Sequence, residues 1–280
     1  MPNVLIRLSD MQLQASQWRK DGKRIGFVPT MGNLHRGHLS LLDAAAAQSE
    51  QVVVSIFVNP LQFNDDADFS AYPRTLQADL EQLAQFPNVT VFAPQEEEFY
   101  PRGRKVHCYV ELPVMTDELE GAQRPGHFRG VTTVVAKLFN IVQPQLAVFG
   151  EKDYQQLLVL QRMVEDLCLP LEIIAMPTCR ESDGLAMSSR NARLSQQQRR
   201  LAPALYQTLQ RLRETLPQSG NDYAQLEAQA MQQLLKAGLQ PEYVTIRDAE
   251  NLALPGKHHS LVVLAAASLG PIRLIDNLRI

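Results

Sequence analysis

Two histidines, His35 and His38, stand three residues apart in the segment Pro29-Thr30-Met31-Gly32-Asn33-Leu34-His35-Arg36-Gly37-His38. If a helix opens near Leu34, both rings project from one of its faces, and Gly37 leaves room for a ligand to approach the backbone. Imidazolium donates hydrogen bonds to phosphoryl oxygens, so the pair suits stabilisation of charge on an α-phosphate and a leaving pyrophosphate. The plainer readings are a solvated histidine face or half of a metal site. Zinc needs further ligands, yet His107, Cys108 and His127 are scattered and no H-E-x-x-H pattern occurs. Lys152 follows Gly150-Glu151 at the end of an apolar run, and Ser188-Ser189-Arg190 combines hydroxyls with a guanidinium fork suited to phosphate oxygens. Each would otherwise be a solvated lysine and a polar linker. Gln62 offers donor and acceptors without charge just beyond another apolar run.

These residues need a scaffold that gathers them. Ser9 and Gln12 read as a capping box for a helix to about Lys20, and Asp21-Gly22-Lys23 turns the chain into the strand Ile25 to Val28. The histidine loop follows, then a helix from about Gly37 through Ala47 and a β-branched strand, Val52 to Val58. The alternation continues with a helix near Pro73, a strand at Val89 to Phe92, a helix at about Val131 to Val142 and a strand at Leu146 to Phe149. A helix over Tyr154 to Leu167 and a strand at Leu171 to Met176 complete it. Near-continuous apolar strands between helices predict an α/β fold with a doubly wound parallel sheet, Rossmann-like, in which ligands sit at the carboxyl ends of the strands. Exposed amides at the start of the helix after the first strand would attract phosphate. After Arg193, Ser195 to Gln198 can cap a long helix and Asn221 opens another. Short strands at Tyr243 to Ile246, Leu261 to Ala265 and Ile272 to Ile275 then predict a second, smaller α+β domain. The expected division is a domain over residues 1–180 and another over 181–280.

Composition narrows the classes. The 280 residues are 45% hydrophobic and 20% charged, the balance of a globular protein. Lys+Arg 27 against Asp+Glu 30 gives a net charge of −3, which argues against a nucleic-acid partner. The strongest apolar run, Leu261 to Leu269, is too short to cross a bilayer, and the amino-terminal residues lack a signal-peptide pattern, so no membrane partner and a cytoplasmic location are expected. Cys108, Cys168 and Cys179 are odd in number and widely spaced, so the default for each is a small buried thiol.

The strand-loop-helix context of H-x-G-H resembles the nucleotidyltransferase superfamily. The segments Val54 to Phe63, Tyr72-Pro73-Arg74, Arg124 to Phe128, Phe149 to Gln156 and Asp183 to Asn191 are similar, in order, to the motif series of the pantothenate synthetase family. The resemblance implies condensation of pantoate with β-alanine at the expense of ATP, through a pantoyl adenylate, with release of pyrophosphate and AMP. It implies catalytic roles for His35, His38, Lys152 and Arg190. It places ATP against Pro29, Thr30, Met31, Gly32, Asn33, Leu34, His35 and His38, against Gly150, Glu151, Lys152 and Asp153, and against the backbone of Cys179 with Met187, Ser188, Ser189 and Arg190. Gln62 and Gln156 match the family's pantoate-binding glutamines, and no dedicated metal ligands are implied, Mg2+ arriving on the ATP phosphates. A homodimer is implied as well.

Two other classes compete at this level. A nucleotide-sensing protein that had lost its chemistry would not need both histidines, Lys152 and Arg190. Another small adenylyltransferase acting on a phosphorylated precursor would need more cations in its substrate pocket than Gln62 and Gln156 supply. A tRNA synthetase lacks support, because neither an anticodon module nor a basic surface is visible.

Overall fold

A computed structural model describes residues 1–216, 222–256 and 260–280. Six strands pair in parallel: β1 (Asn3–Leu5), β2 (Ile25–Thr30), β3 (Gln51–Ile56), β4 (Val89–Phe92), β5 (Leu146–Gly150) and β6 (Glu172–Met176). Their order is β1-β4-β3-β2-β5-β6. From β2 the chain adds strands outward on one side through β3 and β4, then on the other side through β5 and β6. The order therefore reverses between β2 and β5, and a crevice at the carboxyl ends of those two strands is where open α/β sheets take ligands. Thr30 ends β2 and Gly150 ends β5.

Helices cover both faces, as the apolar strands require. Leu42 and Ala45 of helix Arg36–Ala46 pack with Val28, Val52, Val54, Leu146 and Val148. On the other face Phe139 of helix His127–Val142 meets Phe27 edge-on at 6.1 Å and Phe149 at 6.5 Å. Each such buried Leu, Val or Phe contributes about 1.5–3 kcal/mol relative to exposure. Among the described residues no helix is long and apolar enough to cross a membrane.

The described chain divides into two compact units, Met1–Gly150 with Val159–Met176, and Glu151–Leu158 with Pro177–Ile280. The second unit carries an antiparallel sheet, β7 (Gln240–Asp248), β8 (Leu261–Leu269) and β9 (Ile272–Arg279), in that order. Its own core joins Leu205, Leu209, Leu234, Val263 and Ala265. Glu151–Leu158, expected within a first domain running to residue 180, belongs to this second unit. The reason is local: Asn277 Nδ2 on β9 donates to the carbonyls of Glu151 (2.8 Å) and Lys152 (2.9 Å), and the Tyr154 hydroxyl donates to Ala249 O at 2.7 Å.

Several local expectations change. The first helix spans Leu8–Lys20 with Arg7 as its cap, and Ser9 lies inside it, its hydroxyl turned to Asp10. Asn3–Leu5 forms an edge strand too short to show alternation. The helix expected near Pro73 begins at Leu76, after a separate short helix Asp66–Ser70 capped by Asp65. Ser195 and Gln198 do form a reciprocal capping box, but helix Gln196–Leu201 stops before Pro203, which has no amide to continue the ladder, and a new helix runs from Ala204 to Thr215. Asn221 lies outside the described residues; Asp222 caps helix Tyr223–Lys236 by accepting from Gln225 N at 3.1 Å. Cys108 and Cys168 are exposed rather than buried, because each lies on a connection between elements instead of a core face.

One glycine decides how closely two elements approach. The 3-10 turn Pro60–Gln62 lies against helix His127–Val142, where a Cβ on Gly130 would stand 2.3 Å from Leu61 O and 2.8 Å from Gln62 N. Both are backbone atoms, so neither yields without displacing the turn. Gly130→Ala is therefore expected to cost roughly 1–3 kcal/mol in denaturant unfolding, the usual penalty of overpacking, despite the better helix propensity of alanine. Gly150→Ala, with nothing within 4 Å of its added methyl, serves as the control and should leave stability unchanged. Equal stabilities of the two variants would contradict this reading of the contact.

Candidate active site

Between β2 and helix Arg36–Ala46 the backbone makes two left-handed residues in succession, Gly32 at φ +80° and Asn33 at φ +52°. A Cβ at Gly32 would lie 3.0 Å from both Asp79 Oδ2 and Ile56 Cγ2, so glycine serves space as well as φ. Such a loop followed by a helix start exposes amides that must find acceptors. Thr30 Oγ1 takes Gly32 N at 3.1 Å while donating to Ser55 O at 2.7 Å. Asp79, 1% exposed, takes Asn33 N at 3.0 Å and Leu34 N at 2.8 Å, and Thr75 Oγ1 donates to the same carboxylate at 3.1 Å.

The histidines complete this set. His35 is the N-cap, its Nδ1 accepting from Gly37 N at 3.1 Å, and His38 Nδ1 accepts from His35 N at 3.3 Å. The rings lie 4.0 Å apart, centroid to centroid, tilted by 34°. A ring nitrogen that accepts from an amide carries no proton, so both rings are neutral and hold their hydrogen on Nε2. With His38 N and Leu39 N bonded to His35 O at 2.8 and 3.2 Å, most amides of this helix start are satisfied from within the chain. The expectation of exposed amides at this helix start therefore does not hold: they are taken up by Asp79, by the two imidazole δ-nitrogens and by the backbone.

Gln62 rests on a bed of polar contacts. His127 Nδ1 donates to its carbonyl at 2.8 Å and Arg124 Nη2 at 3.2 Å, so His127, weighed from sequence only as a metal ligand, supports the backbone instead. The Gln62 side chain accepts from Asn59 Nδ2 at 3.0 Å and donates to Met31 Sδ at 3.3 Å. The sheet edge thus brings Met31 and Gln62 together. Pro29 pairs in register with Ser55 on β3.

In the second unit, Lys152 lies in the 3-10 turn Glu151–Asp153, whose carbonyls Asn277 holds, and its ammonium is 3.6 Å from Asp153 Oδ1. Asp276, the neighbour of Asn277 and 4% exposed, receives Arg180 in a bidentate pair at 2.7 and 2.9 Å. Burial raises the Asp276 carboxyl pKa and the guanidinium opposes it, so the charge is tolerable only with its partner in place. Arg180 also stacks at 3.7 Å on the Tyr206 ring. This anchor holds the segment in which Met187 N donates to Cys179 O at 2.9 Å and Cys179 Sγ meets Met187 Sδ at 3.5 Å. The backbone carbonyl of Cys179 is thereby occupied. Ser188 caps the 3-10 turn Ser189–Arg193 by accepting from Arg190 N at 3.3 Å. Gln156 is half-buried in the first turn of helix Tyr154–Asp166. No group of three His, Cys, Asp or Glu side chains suited to a metal ion occurs among the described residues.

Residues 3–279 match the family model described as pantoate-beta-alanine ligase. The pantothenate synthetase of Nitrosococcus oceani is 51% identical over 99% of this chain and 97% of that protein. The crystal structure of a pantothenate synthetase from Thermus thermophilus superposes with a TM-score of 0.88 at 43% identity, over 99% of this chain and 98% of that one. A pantoate-beta-alanine ligase of Francisella tularensis, complexed with beta-gamma ATP and beta-alanine, superposes with a TM-score of 0.84 at 33% identity, covering 100% and 98%.

Asp79 was not legible as a site residue, since Leu76-Gln77-Ala78-Asp79-Leu80 reads as an ordinary helix start. Its carboxylate nonetheless accepts two successive amides of the loop. Asp79→Ala should leave the buried Leu34 amide and the half-buried Asn33 amide without acceptors, lowering stability by about 1–3 kcal/mol. The specific readout is hydrogen exchange: the Asn33 and Leu34 amides should lose protection while those of β3 keep theirs. Unchanged protection at both amides would rule the carboxylate out as the anchor.

Proposed function

The chain belongs to the pantoate-beta-alanine ligase family, and on that premise we propose that it joins pantoate to β-alanine through a pantoyl adenylate, with ATP cleaved to AMP and pyrophosphate. The observation that carries the reading is the pair of neutral, Nε2-protonated histidines fixed by their own helix caps at the carboxyl end of β2, beside the reversal of strand order.

In the first step a pantoate carboxylate oxygen attacks the α-phosphorus, and the bond to the β-phosphate oxygen breaks. The His35 and His38 Nε2–H groups donate to phosphoryl oxygens as negative charge moves onto them. Lys152 and Arg190 supply the positive charge that neutral imidazoles do not, with Ser188 and Ser189 as hydroxyl donors. Gly150, Glu151, Asp153, Cys179 and Met187 line the nucleotide. Gln62 and Gln156 hold pantoate without a cation, which leaves its carboxylate nucleophilic. In the second step the free amine of β-alanine attacks the acyl carbon, the bond from that carbon to the phosphate oxygen breaks so that AMP leaves with its electron pair, and the amine loses a proton; proximity replaces much of the bimolecular entropy cost. Magnesium travels as part of the ATP substrate, bound through phosphate oxygens. The same reading extends to a homodimer in the cytoplasm.

Labelled pyrophosphate should exchange into ATP with pantoate alone, and the full reaction should yield AMP. Formation of ADP and phosphate, or exchange that needs β-alanine but not pantoate, would exclude the adenylate. His35→Ala and His38→Ala are each expected to slow adenylate formation by roughly 10²-fold in single-turnover assays, with about 1 kcal/mol of stability lost through the missing cap. Wild-type rates in both folded variants would remove the pair from the mechanism.

A further inference from the structure

Asn59, 1% exposed, lies at the end of the β3 connection with every polar atom of its side chain engaged. Its Nδ2 donates to Gly130 O at 3.1 Å and to Gln62 Oε1 at 3.0 Å; its Oδ1 accepts from the Tyr100 hydroxyl at 2.8 Å and from Leu61 N at 3.4 Å. Gly130 O can only accept and Leu61 N can only donate. These two backbone groups therefore fix which end of the Asn59 amide is which. Gln62 inherits its orientation from there: with Oε1 turned to Asn59, its Nε2 hydrogens face the other way, where Met31 Sδ at 3.3 Å is a weak acceptor. Tyr100, 4% exposed, begins the series. Burial raises its phenol pKa, so the group stays a donor. Its ring is packed by Phe57, Phe99 and the Lys137 ammonium, at 6.2, 5.1 and 5.0 Å.

We propose that Tyr100, Asn59 and Gln62 form a one-way hydrogen-bond relay, in which Tyr100 is a positioning residue and Gln62 meets pantoate as a donor. The inference rests on the reading of Gln62 as a pantoate contact and adds its polarity. The pantoate atom at Gln62 is then a lone-pair acceptor, a carboxylate or hydroxyl oxygen, which displaces the thioether of Met31. A substrate offering only a donor at that point is rejected, because two hydrogens would face each other. The Asn59 amide behind the contact, itself held by the Tyr100 hydroxyl, also restricts Gln62 before the substrate arrives, which reduces the ordering cost of binding.

The test combines a substrate-free and a kinetic measurement on the full chain. In the free protein, Tyr100→Phe removes the hydroxyl with little change of shape, and the side-chain amide resonances of Asn59 and Gln62 should shift and lose exchange protection. In pantoate-dependent pyrophosphate exchange, Tyr100→Phe should raise the KM for pantoate about five- to tenfold, the scale of one neutral hydrogen bond, and leave the KM for ATP unchanged. Gln62→Glu places an acceptor where the donor stood, so its KM for pantoate should exceed that of Gln62→Ala; a glutamate that matches wild type overturns the donor assignment. Unshifted amides with an unchanged pantoate KM in Tyr100→Phe overturn the relay. If the amides respond while the wild-type protein shows no pantoate-dependent exchange, the relay holds and the pantoate reading fails. Thermal melting of each variant separates a general loss of fold, which would alter both KM values, from the selective effect.

Discussion

A helix start that follows two left-handed residues has more backbone donors than water can reach, and the ligand edge of this sheet is built around satisfying them. Asp79 takes Asn33 N and Leu34 N, while His35 and His38 take the next amides by way of their δ-nitrogens. The buried carboxylate is the part with no substitute. An amide in its place would offer hydrogens to hydrogens at one of its two atoms, and water is excluded from a site that is 1% exposed. Because the loop closes on itself in this way, both histidine rings are tied to the backbone of their own helix start.

A similar economy operates at the glutamine. The Pro60–Gln62 turn has its carbonyl held by His127 and Arg124, its side chain by Asn59, and its distance from helix His127–Val142 by the absence of a side chain at Gly130. Three of these partners come from one stretch of chain, Arg124 to Gly130. A short run thus fixes both the position and the polarity of a residue more than sixty positions earlier, through contacts that are local only in space.

The strands of the sheet were legible because parallel strands buried on both faces read as unbroken apolar runs, and the histidine loop stood out through its place between a strand and a helix and through the motif series that follows it, since a histidine pair alone also fits a solvated face or half of a metal site. What the sequence concealed has a common physical origin. Asp79 and Asn59 are polar groups whose burial depends on what packs against them, and a string of letters shows a helical Asp or a loop Asn without showing its surroundings. Pro203 divides a helix that its capping box correctly begins, since a cap specifies a start and carries no information on length. The placement of Glu151–Leu158 with the second unit depends on Asn277, more than a hundred residues downstream, which no local pattern announces. The tautomers were equally hidden: residue type alone permits an imidazolium, whereas the caps demand a neutral ring.

That last difference changes the charge balance of the proposed chemistry. A neutral Nε2–H donates a hydrogen bond about half as strong as a charged one, but it needs no added proton and does not hold an anionic product by charge attraction. The full positive charges then come from an ammonium and a guanidinium, those of Lys152 and Arg190. Division of labour follows from the caps themselves. If either ring took up a second proton, its δ-nitrogen would release the amide it now accepts, and the helix start would lose the bond that orients the ring. The caps thus favour the Nε2–H tautomer of both rings, and in the proposed reaction it is the histidines that would direct hydrogens at phosphate oxygens and Lys152 and Arg190 that would carry the charge.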